Sequence, residues 1–318
     1  MRFTVMVFAL LVPSVSFAEE FRIGVWNIEK LSTRSKRGFP EWKGDKQVDP
    51  RTDAQLKKVA NYIRDDLKAD ALMLIEIDDD GPDGTSLKPR SAQLDFIESE
   101  LGDNWDYYLG RTGGDLRIGF LFNKNRIKLR KIVNLTANEF KVADEDVYDR
   151  DPLFVHISLL ENGQPQNDFL FVGLHLKSQQ KFVHNHMAAV AKLLGDLGSK
   201  TVREDLRLPT LSEENEIIVV GDMNDGAIER NGFKYMFDYF EGVGYDHLGP
   251  DSDAYDDTRV NGSKIDHIFV SKNMIGQIVK PNTFKVHGVP NSKRDNYRKT
   301  YSDHFPVTVE VSSQSDND

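Results

Sequence analysis

The sequence predicts one mixed α/β domain, and two observations lead there. Strand-like and helix-like patterns alternate along the 318 residues, with hairpin signals between several strands. The strongest strand patterns also end on polar residues. The clearest is 217–225, I-I-V-V-G-D-M-N-D. Four β-branched residues suit a strand buried on both faces; Gly221 is expected to end it and to deliver Asp222, Asn224 and Asp225 at its carboxyl end. Ligands of α/β sheets bind at that edge. A carboxylate and a carboxamide two residues apart offer hard oxygen ligands to Mg²⁺ or Ca²⁺, or an acceptor for a water proton. Gly, Asp and Asn also form ordinary turns, so this stretch alone does not define a site.

The chain opens with a secretory pattern: Arg2, an apolar run over 3–15, and small residues at Ser16 and Ala18. Cleavage after Ala18 is expected, which sends the mature protein to the periplasm or beyond. The apolar run is too short to span a bilayer, and no later stretch is apolar enough to do so. Residues 19–311 are expected to form the domain and 312–318 a disordered tail. There is no cysteine, so an exported chain must rely on a large core rather than on disulfides. Forty-one basic residues stand against fifty-one acidic ones, a net charge of −10. A polyanion would therefore have to be held by a local basic patch or through bound cations.

The elements follow in order. Residues 21–28 (FRIGVWNI) read as a strand with Asn27 near its end, and 51–67 as a helix from the spacing of Leu56, Val59, Ala60 and Ile63. The loop between them, 30–50, is long enough to be expected in binding. Residues 71–77 (ALMLIEI) form a buried strand that ends near Glu76, where a carboxylate is costly unless paired or metal-bound. A short helix is expected over 93–101. Strands are expected over 107–109 and 117–122 about the Gly113-Gly114 turn, then over 127–133. Strands 152–160 and 168–176 flank the Asn162-Gly163 turn, and the second delivers His175. Helices follow near 181–197 and 232–240. Two final strands, 265–270 and 305–311, carry Asp266 at the start of one and Ser302-Asp303-His304 just ahead of the other.

The polar residues at strand ends are therefore Asn27, Glu76, His175, Asp222, Asn224, Asp266, Asp303 and His304. They suit an oxygen-liganded cation with acid–base partners. The lack of cysteine and of an H-E-x-x-H pattern argues against a structural or protease-type zinc site, and the lack of G-x-S-x-G against a serine hydrolase. Gly110–Asp115 lacks the lysine of a phosphate-binding loop. His184 and His186, two apart on a helix, are expected at its surface, and His267 suits either the cleft or strand packing. The acidic run 251–257 reads as a solvated loop.

Trp26-Asn27-Ile28-Glu29, the strand ending in Glu76, Gly173-Leu174-His175-Leu176-Lys177-Ser178, Gly221-Asp222-Met223-Asn224, Lys264-Ile265-Asp266-His267 and Ser302-Asp303-His304 stand in a telling order. They resemble the successive signatures of the endonuclease/exonuclease/phosphatase family, metal-dependent phosphodiesterases related to pancreatic-type deoxyribonuclease. Arg150-Asp151-Pro152 resembles that family's phosphate-binding arginine motif. The resemblance implies a four-layer sandwich, two mixed sheets face to face with helices outside. It implies that Asn27, Glu76 and Asp303 surround a divalent cation (Mg²⁺, or Ca²⁺ or Mn²⁺), and that Asp222 and Asn224 hold the attacking water, a phosphate oxygen or a second ion. His304, oriented by Asp266, would act as base or stabiliser; His175 and Arg150 would contact phosphate oxygens or the leaving group. Digestive members carry a carboxylate on the strand matching 117–122 that steadies the first histidine. Ile118 stands there in this chain, so His175 needs another partner, such as Asp115, or works differently.

The family's substrates range from nucleic acids to sphingomyelin and inositol phosphates, so the loops must choose. Lys30, Arg34, Lys36, Arg37, Lys43 and Lys46 lie in one loop, and Lys293, Arg294, Arg298 and Lys299 in another. Phe39, Trp42 and Tyr297 are placed to stack on bases. The expected protein is a monomeric nuclease of low sequence specificity acting on DNA, with RNA possible. The alternatives are a sphingomyelinase-like lipid phosphodiesterase, a small-molecule or inositol phosphatase and, more remotely, a non-catalytic binding module.

Overall fold

Two six-stranded sheets dominate, and each has one parallel pair at its centre. The computed structural model describes residues 18–34, 36–37, 47–80, 89–134, 141–142, 145–146, 150–177, 180–209, 215–224, 236–249, 256–276 and 278–313. Residues 1–17 of the expected signal segment, Phe39, Trp42, Lys43, Lys46, Ser178 and Asp225 lie outside them, as do the side chains of Lys36, Arg37, His184 and His186. Numbered in chain order, the strands are β1 (Glu20–Leu31), β2 (Ala71–Ile77), β3 (Trp105–Leu109), β4 (Arg117–Asn123), β5 (Ile127–Asn134) and β6 (Leu153–Glu161). Then come β7 (Gln164–His175), β8 (Ile217–Asp222), β9 (Tyr245–His247), β10 (Asp266–Ser271), β11 (Lys285–Val286) and β12 (Val307–Ser312). One sheet runs β11-β12-β1-β2-β4-β3 and the other β9-β10-β8-β7-β6-β5. Each repeats the same order of pairings: antiparallel twice, parallel once, antiparallel twice.

Period-2 alternation decides what faces what. Phe21, Ile23 and Val25 of β1, Met73 and Ile75 of β2, Phe169 and Phe171 of β7, Ile218 and Val220 of β8, and Ile268 and Val270 of β10 form the core between the sheets. The opposite row of the first sheet (Trp26, Ile28, Leu72, Leu74) packs on α1 (Asp53–Asn61) and α2 (Ala92–Leu101). The opposite row of the second (Leu170, Val172, Val219, Phe269) packs on α3 (Gln180–Asp196) and on Phe240 of α5 (Met236–Glu241). The result is helix, sheet, sheet, helix, the four layers expected, and the double-sided strands read as continuous apolar runs because both faces are covered. Burying each large side chain contributes roughly 1.5–3 kcal/mol, so three such clusters can hold a chain without disulfides.

Several boundaries differ from the sequence reading. The helix expected over 51–67 begins at Asp53 behind a Thr52/Gln55 capping box and loosens to π-helical geometry over Tyr62–Leu67. α4 (Lys200–Asp205) was not expected, and 293–299, expected as a basic loop, is largely α6 (Arg294–Thr300). Gly221 does not end its strand. β8 continues through Asp222, and Gly221 pairs with Leu174 on one side and His267 on the other. A Cβ at Gly221 would lie 2.2 Å from the Leu174 carbonyl oxygen. Backbone cannot yield as a side chain can, so Gly221→Ala should destabilise the fold by about 3 kcal/mol. A urea denaturation midpoint indistinguishable from wild type would contradict so close an approach of β7 and β8.

Candidate active site

The inward rows of the strands do not stop where the apolar core stops. Asn27 continues the row of Phe21, Ile23 and Val25; His175 that of Phe169 and Phe171; Asp222 that of Ile218 and Val220; Asp266 that of Ile268 and Val270. The same alternation that built the core thus aims four polar side chains into the gap between the sheets at one end. Register aligns them, with His175 opposite Asp222 and Asp222 opposite Asp266. Glu76 reaches the gap differently. The β2 pairings slip between Ile75 and Ile77, and Glu76 sits at φ 68°. This is a bulge with left-handed strain at a non-glycine residue, the kind of cost that persists where surrounding structure imposes it.

Hydrogen bonds lock the cluster. Asn27 Nδ2 donates to Glu76 Oε1 (3.1 Å) and to Asp222 Oδ2 (3.0 Å), while its Oδ1 accepts from Glu29 N. His304 Nδ1 meets Asp266 Oδ2 at 2.8 Å, and its Nε2 lies 3.8 Å from Asp222 Oδ2. His175 Nε2 lies 3.9 Å from Glu76 Oε1 and 3.8 Å from Asp222 Oδ2. Asn224, at φ 50°, donates its backbone N–H to Asp222 Oδ1 and its Nδ2 to the Leu176 carbonyl (2.7 Å), which also accepts from Arg150 Nη1 at 3.3 Å. Ser302 Oγ donates to the Asn27 carbonyl and accepts from His304 N; Trp26 Nε1 and Tyr297 Oη both donate to the His304 carbonyl. Every polar strand-end residue expected from the sequence, with Arg150, therefore lies in one cluster or at its edge, apart from Asp225, which is outside the described residues.

The two imidazoles are pushed in opposite directions. Burial drives the His175 pKa well below the ordinary value, and the positive charges of Arg150 and His304 add to it. Burial also works against a charged His304, but Asp266, Asp303 and Asp222 outweigh it and raise its pKa to about 10. Burial raises the carboxyl pKa of Glu76, with Asp303 next, and that of Asp222, with Asp266 next. Asp303 goes the other way: burial opposes its charge, but His304 and Arg259 outweigh that and hold its pKa low. The site thus separates a neutral imidazole from a cationic one, as division of acid–base work requires.

Glu76 Oε1, Asp222 Oδ2 and His175 Nε2 are close enough together to share a cation, and so are ligand atoms of Asp222, Asp266 and His304. The donors fit a divalent ion. They are mostly hard oxygens, and two of them carry charge that burial disfavours, a cost a cation would offset.

Some expectations change. No side chain hydrogen-bonds His175 Nδ1 among the described residues, so neither Asp115 nor another carboxylate takes the missing partner's place; it is the Leu116 backbone that hydrogen-bonds this imidazole. Ile118 instead packs between the sheets, where a Cβ on Gly173 would lie 2.9 Å from its Cγ2. Tyr297 does not offer its ring to bases. It is buried against Tyr62, Tyr301 and Phe305. Arg294 and Arg298 are drawn into ion pairs with Asp257 and Glu29. His267 is buried beside His247, with Nδ1 3.2 Å from His247 Nε2, and serves packing. The sequence reading missed Arg259, whose Nε and Nη2 both meet Asp303 Oδ2, at 3.0 and 2.6 Å. It also missed half-buried Arg51, which donates to the carbonyls of Ile28, Glu29 and Tyr301. Arg259 lies in irregular chain with no periodicity to expose it, and its bridge to His304, with the backbone hydrogen bonds Val260 N to Asp303 O and Phe305 N to Thr258 O, brings it to the cleft.

A cleft at the carboxyl ends of two parallel pairs, with oxygen donors for a divalent ion and two histidines whose pKa values are pushed apart, suits a hydrolase of phosphate esters. The sequence over residues 24–304 matches the model of the Endonuclease/Exonuclease/phosphatase family, and the chain belongs to that family of metal-dependent phosphoesterases. No curated protein matches it. Among solved structures it is similar to an endonuclease/exonuclease/phosphatase family protein from Bacteroides thetaiotaomicron, at 19% identity and TM-score 0.57, covering 95% of this chain and 100% of that one. A mannosyl-6-phosphatase from the same organism matches at 19% identity and TM-score 0.54, over 92% and 99%. D. rerio TDP2, complexed with a single-strand DNA product, matches at 13% identity and TM-score 0.57, over 92% and 98%.

Proposed function

We propose that this chain is an exported nuclease of low sequence specificity that hydrolyses phosphodiesters of DNA with Mg²⁺. The observation that carries the phosphodiester chemistry is the pair of oppositely biased histidines about Asp222. A phosphodiester is protected by its own negative charge, so cleavage needs positive charge on its oxygens, an aligned water and a proton for the leaving group. Glu76 and Asp222, with Asn27 beside them, would hold a divalent ion, which would supply positive charge to the phosphoryl oxygens. Asp222 and Asn224 hold the water in line with phosphorus, and Asp222 accepts its proton. His304, kept as imidazolium by Asp266, donates to the oxygens of the pentacovalent phosphorus. His175 and Arg150 lie on the other side of Asp222, where they hydrogen-bond a non-bridging oxygen and the leaving oxygen. That oxygen takes its proton from solvent, to which Asp222 returns the proton of the attacking water.

Support for a polymeric substrate comes from the chain that leaves β1. Ser32 Oγ and Arg34 Nη2 bind Asp78 Oδ2, and Thr33 Oγ1 binds Asp80, just past Glu76 on β2. Arg34, its side chain 62% exposed, and the Lys36–Arg37 ribbon therefore leave from the rim of the cleft. The TDP2 complex makes a nucleic-acid substrate compatible with this fold. The mannosyl-6-phosphatase likeness favours a second reading, a phosphomonoesterase. A lipid phosphodiesterase has less behind it: among the described residues, Ile275 is the large apolar side chain left exposed.

Supercoiled DNA, linear DNA and RNA should each be tried with and without EDTA, beside a phosphomonoester assayed for released phosphate. DNA cleavage abolished by EDTA is the expected result; phosphate release with intact DNA would replace the nuclease reading by the second one. Converting Arg34, Lys36 and Arg37 together to glutamine should raise KM for DNA and flatten its salt dependence, by about 0.9 log unit per log unit of salt for each phosphate no longer neutralised. A small aryl phosphodiester should be hydrolysed as before. Equal losses on both substrates would mean that this segment shapes the catalytic centre rather than capturing a polymer.

A further inference from the structure

β1 begins at the end of the sheets opposite the cleft, at a junction the hydrolysis does not use. Its pairing with β12 closes on Glu20 and Ser312, and one residue further out a side chain caps the ladder. Glu19 N donates to Ser313 Oγ at 2.9 Å, and Ser313 N donates back to the Glu19 carbonyl at 3.0 Å. Ser313 is buried, and its Oγ donates in turn to Glu161 Oε2 at 2.6 Å, at the end of β6. Ala18 is exposed, whereas Glu19 is half-buried. The boundary between exposed and tethered chain falls on the bond after Ala18, where the sequence pattern leads cleavage of a leader to be expected.

The Glu19 side chain is tied down as well. Its carboxylate pairs with Arg126, which also meets Asp70 and lies over the Phe21 ring at 3.9 Å. Beside them Lys280 pairs with Glu20, and Arg22 with Glu310. Counting Glu161, five carboxylates face three cations at this end of the sheets. A positive charge on Glu19 N would enter a field that favours it.

The character of that nitrogen depends on the bond before it. As an amide it has one N–H, already given to Ser313. As a free terminus it is an ammonium with three donors, and a hydrogen bond from a charged donor is roughly twice as strong as a neutral one. Hydrolysis by a peptidase consumes one water, leaves a carboxylate on Ala18 and the ammonium on Glu19, and changes no net charge.

Resting on the reading of the chain as exported, we propose that the Ala18–Glu19 bond is a processing site whose cleavage completes the fold. The new α-ammonium seats on Ser313 Oγ and, through it, on the Glu161 carboxylate. One charged link then joins the start of β1, the end of β12 and the β6–β7 hairpin. A chain that keeps its leader lacks that link and is the less stable form.

The test compares residues 19–318, released from a fusion so that Glu19 carries the free amine, with the same chain begun at Ala18. The pH dependence of trace acetylation, read by mass spectrometry, gives the pKa of each terminal amine. In the Glu19 chain it should lie at least about one unit above the ordinary value of roughly 7.7–8.0, and in the Ala18 chain at that value. A raised folded pKa stabilises fully below the unfolded value, and the effect is lost as pH rises through the folded one. The Glu19 chain should therefore melt about 2 °C above the Ala18 chain near pH 6.5 and level with it near pH 10.5. Glu161→Gln keeps a hydrogen-bonding oxygen and removes the charge, so it should bring the Glu19 amine back toward the ordinary range. Circular dichroism checks its folding, and the comparison of the two chains stands without it. Equal pKa values in the two chains, indifference to Glu161→Gln, or melts that coincide near pH 6.5 would overturn the proposal. Export is judged apart, from the full chain expressed in a bacterium. An exported protein that begins at Glu19 is the expected product. One that begins elsewhere overturns the proposal and leaves export standing, whereas uncleaved chain kept in the cytoplasm sinks both.

Discussion

His304→Ala and Asp222→Ala should each lower kcat by about two orders of magnitude or more, with little change in KM. Both side chains are almost wholly buried, 3.8 Å apart, and act on charge that develops only as phosphorus becomes pentacovalent. Asp266→Asn should cost less, because the amide can still orient His304 Nδ1 from the same place. It should also leave a signature. A carboxylate at Asp266 favours the imidazolium, so its removal lowers the His304 pKa, and the limb of the kcat–pH profile that belongs to His304 should move to lower pH. The sign holds whether His304 gives or takes a proton. A limb that stays in place would show that Asp266 neither orients nor charges that histidine.

Glu76→Gln should abolish measurable turnover at ordinary Mg²⁺, a loss of at least about 100-fold, and regain part of it as Mg²⁺ is raised. Glutamine keeps the length and one hydrogen-bonding oxygen for Asn27, so the bulge at φ 68° should survive. What goes is the charge. In the metal-free protein that charge is a burden: burial, then Asp303, raises the Glu76 pKa, so the ionised form stabilises nothing at neutral pH. The variant should therefore be at least as stable as wild type to heat in EDTA, and should lose the stabilisation that added Mg²⁺ confers on wild type. Full activity of the wild-type protein in EDTA, or an unaltered Mg²⁺ requirement in Glu76→Gln, would sink the assignment of Glu76 to the cation.

The sequence by itself determined most of the strands and the order of their polar endings, because both rest on local pattern. The layer plan followed from the family resemblance those endings carry, and the short strands β9 and β11 were not expected. Runs such as Ala71–Ile77 and Ile217–Asp222 are apolar on both faces only if both faces are covered. The period of 2 that made Ile218 and Val220 core already placed Asp222 on the same side, and so with Asn27, His175 and Asp266. What the tertiary structure alone decided is how those ends are charged and held. The opposite shifts of His175 and His304 depend on which groups crowd each ring, and those groups come from strands far apart in sequence. Ile118 marks the boundary between the two. Its identity shows that a familiar carboxylate is missing, but only the packing shows that no side chain replaces it and that the imidazole meets the Leu116 backbone instead. The basic residues make the same point for charge. Arg294 and Arg298 count as positive in a sequence tally, yet the fold pairs them with Asp257 and Glu29, and it brings Arg259 onto Asp303 across 44 residues. Periodicity carries information about a strand's own faces. It carries none about which distant charge will lie within 3 Å of its end, because Coulomb energy depends on separation in space and not along the chain.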